Sequence, residues 1–139
     1  MSERPLDKEE LQQRLAHSAF IDFLNLTVVA AHPDRQEVVM RAAMRLEFER
    51  GRGTGQWHGG PIAAIVDTVG DYALVMLLGR PLPTVNFRID YLRPAVDTAL
   101  LVTARVRRSG RLVGTVDIEV ANDKGQLVAI GRATYATAE

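Results

Sequence analysis

The chain has 139 residues, 47% of them hydrophobic and 24% charged, which is the size and balance of one ordinary globular domain with a core of its own. Lysine plus arginine equals aspartate plus glutamate at 17 each, so no net field draws the chain towards nucleic acid or an anionic membrane. The absence of cysteine excludes disulfides, thiolate metal sites and a cysteine nucleophile.

The stretch Met1-Ser2-Glu3-Arg4-Pro5-Leu6-Asp7 has no apolar run of a secretory leader, and a cytosolic location is expected. Asp7, with Glu10 three residues on, forms an Asp variant of the capping box. It opens a short helix with Leu11, Leu15 and Ala19 along one face. Residues 24–31 and 37–44 read as strands about the turn His32-Pro33-Asp34-Arg35. A glycine-rich stretch follows, with Gly51, Gly53, Gly55, Gly59 and Gly60, and opens into a long apolar segment over 62–78. Pro61 suits the first turn of a helix, and Gly79 with Pro81 and Pro83 ends it. Apolar nearly all round, this helix is expected to be buried. At 62–78, broken by Asp67, Asp71 and two glycines, it reads as short and interrupted for a membrane span.

Beyond it, Val85, Phe87, Ile89 and Tyr91 alternate with Thr84, Asn86, Arg88 and Asp90, a period of two. Further strands fall at 99–106, 112–120 and 127–135, joined by turns at Ser109-Gly110 and Asn122-Asp123-Lys124-Gly125. No repeat or linker divides the chain, so a single α+β domain over 1–139 is expected, about six antiparallel strands around one central helix. Such a sheet has an open far edge, which favours dimers formed by strand pairing.

The polar residues of the central segment carry the chemistry. Asp67, Thr68, Asp71 and Tyr72 fall within an arc of about 140° on a wheel of 3.6 residues per turn. A carboxylate on an otherwise apolar helix costs several kcal/mol if dry and unpaired. A cation, backbone donors or a solvated cleft must compensate it. Composition alone leaves open a stripe facing solvent, or a structural hydrogen-bond hub at Asp67. At the helix start, His58-Gly59-Gly60-Pro61 offers orphan N–H groups and a positive dipole end, with glycines that admit a ligand carbonyl close to the backbone. One such N–H would form an oxyanion hole for acyl transfer. Asp67 lies nine residues after His58, roughly 13 Å along a helix, too far for both to serve one carbonyl within a single chain. Two such helices antiparallel across a dimer would bring each glycine start to the partner copy's acid.

The run HGGPIAAIVD, from His58 to Asp67, resembles the HGG-type hotdog thioesterases, in particular the phenylacetate-degradation thioesterase family. Asn86-Phe87-Arg88-Ile89-Asp90-Tyr91-Leu92-Arg93-Pro94 is similar to that family's strand after the helix, and the likeness covers about residues 20 to 136. The resemblance implies a hotdog fold assembled at least as a dimer, commonly as a tetramer of paired dimers, that hydrolyses acyl-CoA to free acid and CoA without metal or other cofactor. It implies that Asp67 is the catalytic acid, a general base on water or a nucleophile. It implies further that the Gly59 N–H polarises the thioester carbonyl, that His58 orients the loop or hydrogen-bonds near the carbonyl, and that Thr84 helps position the water. Gly60 and Asp71 would lie beside the substrate. One departure stands out: where many relatives have Asn or Gln, six residues before the histidine, this chain has Arg52. Gln56 is a candidate substitute, and Arg52 is a candidate partner for Asp67 or for a CoA phosphate.

Trp57 and Tyr72 suit either an acyl pocket or the core. Arg105, Arg107, Arg108 and Arg111 flank the Ser109-Gly110 turn and suit either a phosphate-binding rim, with Arg108 as its representative, or a solvated hairpin end. Three histidines show no metal-ligand spacing. Two rival functions are a hotdog acyl-thioester hydratase or dehydratase and a non-catalytic acyl-CoA binding protein. A third is a structural oligomer whose site has decayed.

Overall fold

A computed structural model describes residues 4–139; the first three residues of the stretch read for a leader lie outside it. Helix α1 (Lys8–Leu15) starts on the expected capping box. Asp7 Oδ1 accepts from Glu10 N at 2.9 Å, and Glu10 Oε1 accepts from Asp7 N at 3.1 Å. Ala19, expected on this helix, instead begins α2 (Ala19–Phe23), because Ser18 Oγ accepts from Ile21 N and starts a new turn.

Six strands follow: β1 (Leu26–His32), β2 (Glu37–Ala42), β3 (Thr84–Tyr91), β4 (Leu100–Ser109), β5 (Val113–Ala121) and β6 (Leu127–Ala136). They form one antiparallel sheet in the order β1-β2-β4-β5-β6-β3. The long helix α3 (Gly59–Leu78) lies between β2 and β3 in the chain and packs chiefly on β4 and β5. This is the hotdog arrangement the sequence implied.

Helix α3 is 20 residues long with a mean hydropathy of 1.6. It is therefore long and apolar enough to cross a membrane, which corrects the reading of 62–78 as too short. Its apolarity answers to the core: Ile65, Val66, Val69, Leu74 and Met76 are fully buried beneath the sheet. The helix ends where Gly79 turns left-handed at φ 75° and donates to Val75 O.

Gly70 lets α3 come unusually close to the sheet. A Cβ there would sit 2.4 Å from Tyr135 Oη, well inside contact distance. The close approach allows the buried Tyr135 hydroxyl to donate to the backbone carbonyl of Asp67 at 2.6 Å, the partner such a buried phenol requires. Burial, and then the charges of Asp67 and Asp71, push the phenol pKa up, so Tyr135 stays neutral and pins the middle of the helix.

Strand β3 pairs only with β6, leaving its other edge free. The register shifts between Thr84 and Asn86, a bulge that strict alternation hides. Thr84 thereby comes to the helix side, opposite Tyr135, together with Phe87, Ile89 and Tyr91, which lie opposite Ala133, Gly131 and Ala129.

Candidate active site

The start of α3 is fixed by its own residues. His58 is the N-cap, and its Nδ1 accepts from Gly60 N at 2.8 Å. His58 N in turn donates to Phe48 O at 2.8 Å, and Trp57 N to Ala95 O at 2.9 Å. Tyr91 Oη donates to Gly59 O at 2.6 Å. Among the described residues, no acceptor takes the Gly59 N–H. A Cβ on Gly59 would stand 3.3 Å from the Tyr91 ring, so the glycine also keeps this corner open. A cavity of about 480 Å³ adjoins it, with His58, Gly59, Gln56, Tyr91, Arg50 and Arg93 on its walls.

Asp67 lies eight residues along the same helix, about 12 Å from Gly59. It is half-buried, and Thr84 Oγ1 donates to its Oδ1 at 2.8 Å. This contact exists because of the β3 bulge. One carboxylate oxygen is thus held while the other remains open to a water or an acyl carbon, as a general base or nucleophile needs.

Asp71, one turn further on, is half-buried, and its Oδ1 is buried without a hydrogen-bond partner. Burial, and then the neighbouring Asp67 charge, push its pKa up to about 7. Asp71 therefore carries its proton over much of the range in which ordinary carboxyls have lost theirs, and presents an O–H to the site.

The other candidates separate clearly. Gln56 bridges to Val96 through its backbone and faces the same cavity as Gly59. Trp57 is only 3% exposed, donates from Nε1 to Thr98 O at 2.9 Å and stacks on Phe48; it is chiefly core, with an edge on the cavity wall. Tyr72 is likewise buried. Arg52 is exposed in a loop that Glu49 holds by accepting from Gly53 N and Gly55 N. It lies beside Leu46, Glu47 and Glu49 and makes no ion pair with Asp67 within the chain, because the glycine turns carry it outward. The arginine cluster divides: Arg105 pairs with Glu37 and Arg107 with Asp117, leaving Arg108 exposed without a carboxylate partner among the described residues. No group of three metal-ligating side chains occurs among the described residues.

Sequence reasoning missed Tyr91 and Tyr135 as supports of the site. Tyr91 stands in a quoted motif, and a tyrosine on the inward period of a strand always raises the question of its hydroxyl's partner.

Asp71 has a measurable consequence for stability. Its folded pKa lies above the unfolded carboxylate value, so the folded state binds the extra proton, and stability from this group falls as pH rises from about 4 to about 7. Asp71→Asn is expected to raise the melting temperature by several degrees at pH 8 and by less than half as much at pH 5. Equal shifts at both pH values would contradict the assignment.

The thioesterase superfamily profile matches residues 54–129, from the glycine loop to β6. The human acyl-coenzyme A thioesterase 13 is 30% identical over 112 residues, covering 78% of this chain and 77% of that protein. Acyl-coenzyme A thioesterase PaaI of Escherichia coli is 39% identical over 77 residues, 54% of each. A solved thioesterase-superfamily structure superposes with a TM-score of 0.86 at 32% identity, covering 93% of this chain and 96% of the other. With His58, Gly59 and Asp67 all inside the matched segment, the chain belongs to the thioesterase superfamily.

Proposed function

We propose that this protein hydrolyses acyl-CoA thioesters to free acid and CoA at sites shared between two copies of the chain, in the cytosol. The observation that carries the reading is the pair of features on one helix: Asp67 held by Thr84, and a free N–H at Gly59. The curated relatives named acyl-CoA thioesterases support the substrate class.

In this reading the thioester carbonyl oxygen sits at the Gly59 N–H of one copy, where the helix dipole and the desolvated donor favour the developing oxyanion. Asp67 of the other copy takes the proton of an attacking water, and CoA thiolate leaves as the free acid forms. Alternatively its carboxylate attacks the carbonyl carbon, CoA thiolate leaves, and water then hydrolyses the acyl–Asp67 anhydride to free acid. Thr84 orients the carboxylate. His58 acts by capping; its Nδ1 is engaged by Gly60 N and is not the base that a hydratase would need. The protonated Asp71 and Gly60 line the acyl side, and Gln56 stands in for the Asn or Gln of relatives. Arg52, exposed on its loop, is left to a CoA phosphate or to the partner copy.

Pairing of two copies is proposed along the free β3 edge. Val85, Tyr91 and Leu92 there are 60%, 50% and 51% exposed, an apolar fringe of the kind that association covers. Joining the two sheets at this edge would set the α3 helices side by side and antiparallel. A tetramer of two such dimers follows the family habit. The reading as a structural oligomer whose site has decayed draws on Arg52 alone, which occupies the place of a polar residue that orients the nucleophile in relatives.

Thiol release from a panel of acyl-CoAs tests the chemistry. Asp67→Asn is expected to lower kcat by at least about 100-fold, the scale of a lost acid–base group. Undiminished turnover by the variant would remove Asp67 from the mechanism, and tight binding without release by the parent would favour the binding protein. For assembly, Val85→Lys should shift the protein to monomer in analytical ultracentrifugation, with helix and sheet content retained and activity lost. An active monomer would refute the shared site.

A further inference from the structure

The turn that carries the Gly59 N–H has little of its own to hold it. Glycines occupy the first two positions of α3, and its first turn has no acidic side chain to satisfy the opening N–H groups. Glycine is among the weakest helix formers, because it has the most backbone freedom to lose. Two side chains grip the turn instead, and both close on one peptide unit. Its N–H end, Gly60 N, donates to His58 Nδ1 at 2.8 Å, and its carbonyl end, Gly59 O, accepts from Tyr91 Oη at 2.6 Å. That unit is planar and rigid. On the other side of the Gly59 N–H, His58 N is anchored on Phe48 O, so the donor is bracketed from both directions.

Tyr91 reaches Gly59 because the chain past β3 runs antiparallel to residues 55–59. Trp57 N donates to Ala95 O at 2.9 Å, Asp97 N donates to Gly55 O at 3.0 Å, and Gln56 bridges to Val96. Leu92 N donates to Val128 O at 2.8 Å and ties the same segment to β6. The Tyr91 ring stands 3.3 Å from where a Gly59 Cβ would be, so it packs against the bare face of that glycine. Burial raises the phenol pKa, and the hydroxyl keeps the proton it donates. With that proton engaged at Gly59 O, Tyr91 has none to offer a substrate carbonyl or a leaving thiolate.

We propose that Tyr91 is a positioning residue of the oxyanion hole: its hydroxyl, acting through the Gly59 carbonyl, aims the Gly59 N–H at the thioester oxygen. The assignment rests on the proposed thioester reading and adds to it the group that sets the donor's direction. An oxyanion donor is most effective when its direction is fixed before charge develops. Tyr91 is also the last residue of β3, whose free edge is the one proposed to pair two copies. The contact that brings the second copy's acid to the hole therefore braces the strand end from which the hole is aimed. Two requirements of one site meet on one strand.

Tyr91→Phe removes the hydroxyl and keeps the ring, and because Tyr91 is half-exposed the change spares the core. It is expected to lower kcat about 10-fold, the scale of one lost hydrogen bond. KM should stay within about twofold, because a misdirected donor weakens the transition state more than the bound ester. The loss should be equal for a CoA ester and for the ester of a more acidic aryl thiol. A loss confined to the CoA ester would make Tyr91 a proton donor to the leaving thiolate and overturn the inference. Infrared spectroscopy reads the donor itself, using a ketone analogue of the CoA ester with CH2 in place of the thioester sulfur. Its carbonyl stretch is expected to fall on binding to the parent, and Tyr91→Phe to cancel about half of that fall. The high protein concentration of such spectra keeps even a weakened dimer associated. Val96→Ala trims an exposed side chain of the same segment and should leave both kcat and the stretch at parental values. Changes equal to those of Tyr91→Phe would show general loosening and overturn the inference. A stretch unmoved by Tyr91→Phe, with or without a fall in kcat, overturns it while leaving thioester hydrolysis intact. A stretch that responds to Tyr91→Phe in a protein that hydrolyses no thioester would sustain the positioning role and sink the enzymatic reading.

Discussion

A carboxylate carried on a helix that is otherwise core is the constraint around which this fold is arranged. Asp67 cannot be buried dry, and it cannot reach open solvent without exposing the apolar residues beside it. The molecule resolves this with a half-exposed position at the rim of the sheet, one hydroxyl donor from Thr84, and a backbone carbonyl pinned by Tyr135. Gly70 makes the last contact possible by removing the side chain that would block it. Each support is local, yet each comes from a different strand, so the site's geometry depends on the register of β3 and β6.

Asp71 shows what the same helix does to a carboxyl given no donor. Only one turn away, it has a buried oxygen without a partner and holds its proton to about pH 7. Two carboxyls with different surroundings thus divide the labour: Asp67 is held by a hydroxyl donor, and the desolvated Asp71 keeps a proton it can donate. That division follows from where the β3 bulge puts a hydroxyl, and nothing in the spacing of the two acids alone would have assigned it.

Much of this was legible in the sequence because the signals were periodic. The capping box at Asp7, the six strands and the glycine-bounded apolar segment all appear close to where they were read, with boundaries displaced by a few residues. The HGG run and the acid at Asp67 were readable as a motif. The bulge at Val85 was not: strict alternation puts Thr84 with Asn86 and Arg88, away from the helix, while the observed register turns it towards Asp67. Nor was the division of the arginine cluster, because whether Arg105 and Arg107 meet Glu37 and Asp117 is a matter of cross-strand register.

The central claim is that a catalytic unit draws its acid from one copy and its oxyanion donor from another, and mixed dimers test it most directly. Gly59→Pro removes the N–H at a helix position that tolerates proline, after a residue already extended at φ −70°, ψ 145°. Combined with Asp67→Asn in verified mixed dimers, each variant inactive alone, it leaves one of the two composite sites with both groups intact. The account predicts that such dimers recover up to about half the activity of the parent per dimer. Mixed dimers as inactive as either variant would show that each chain needs its own acid and its own glycine.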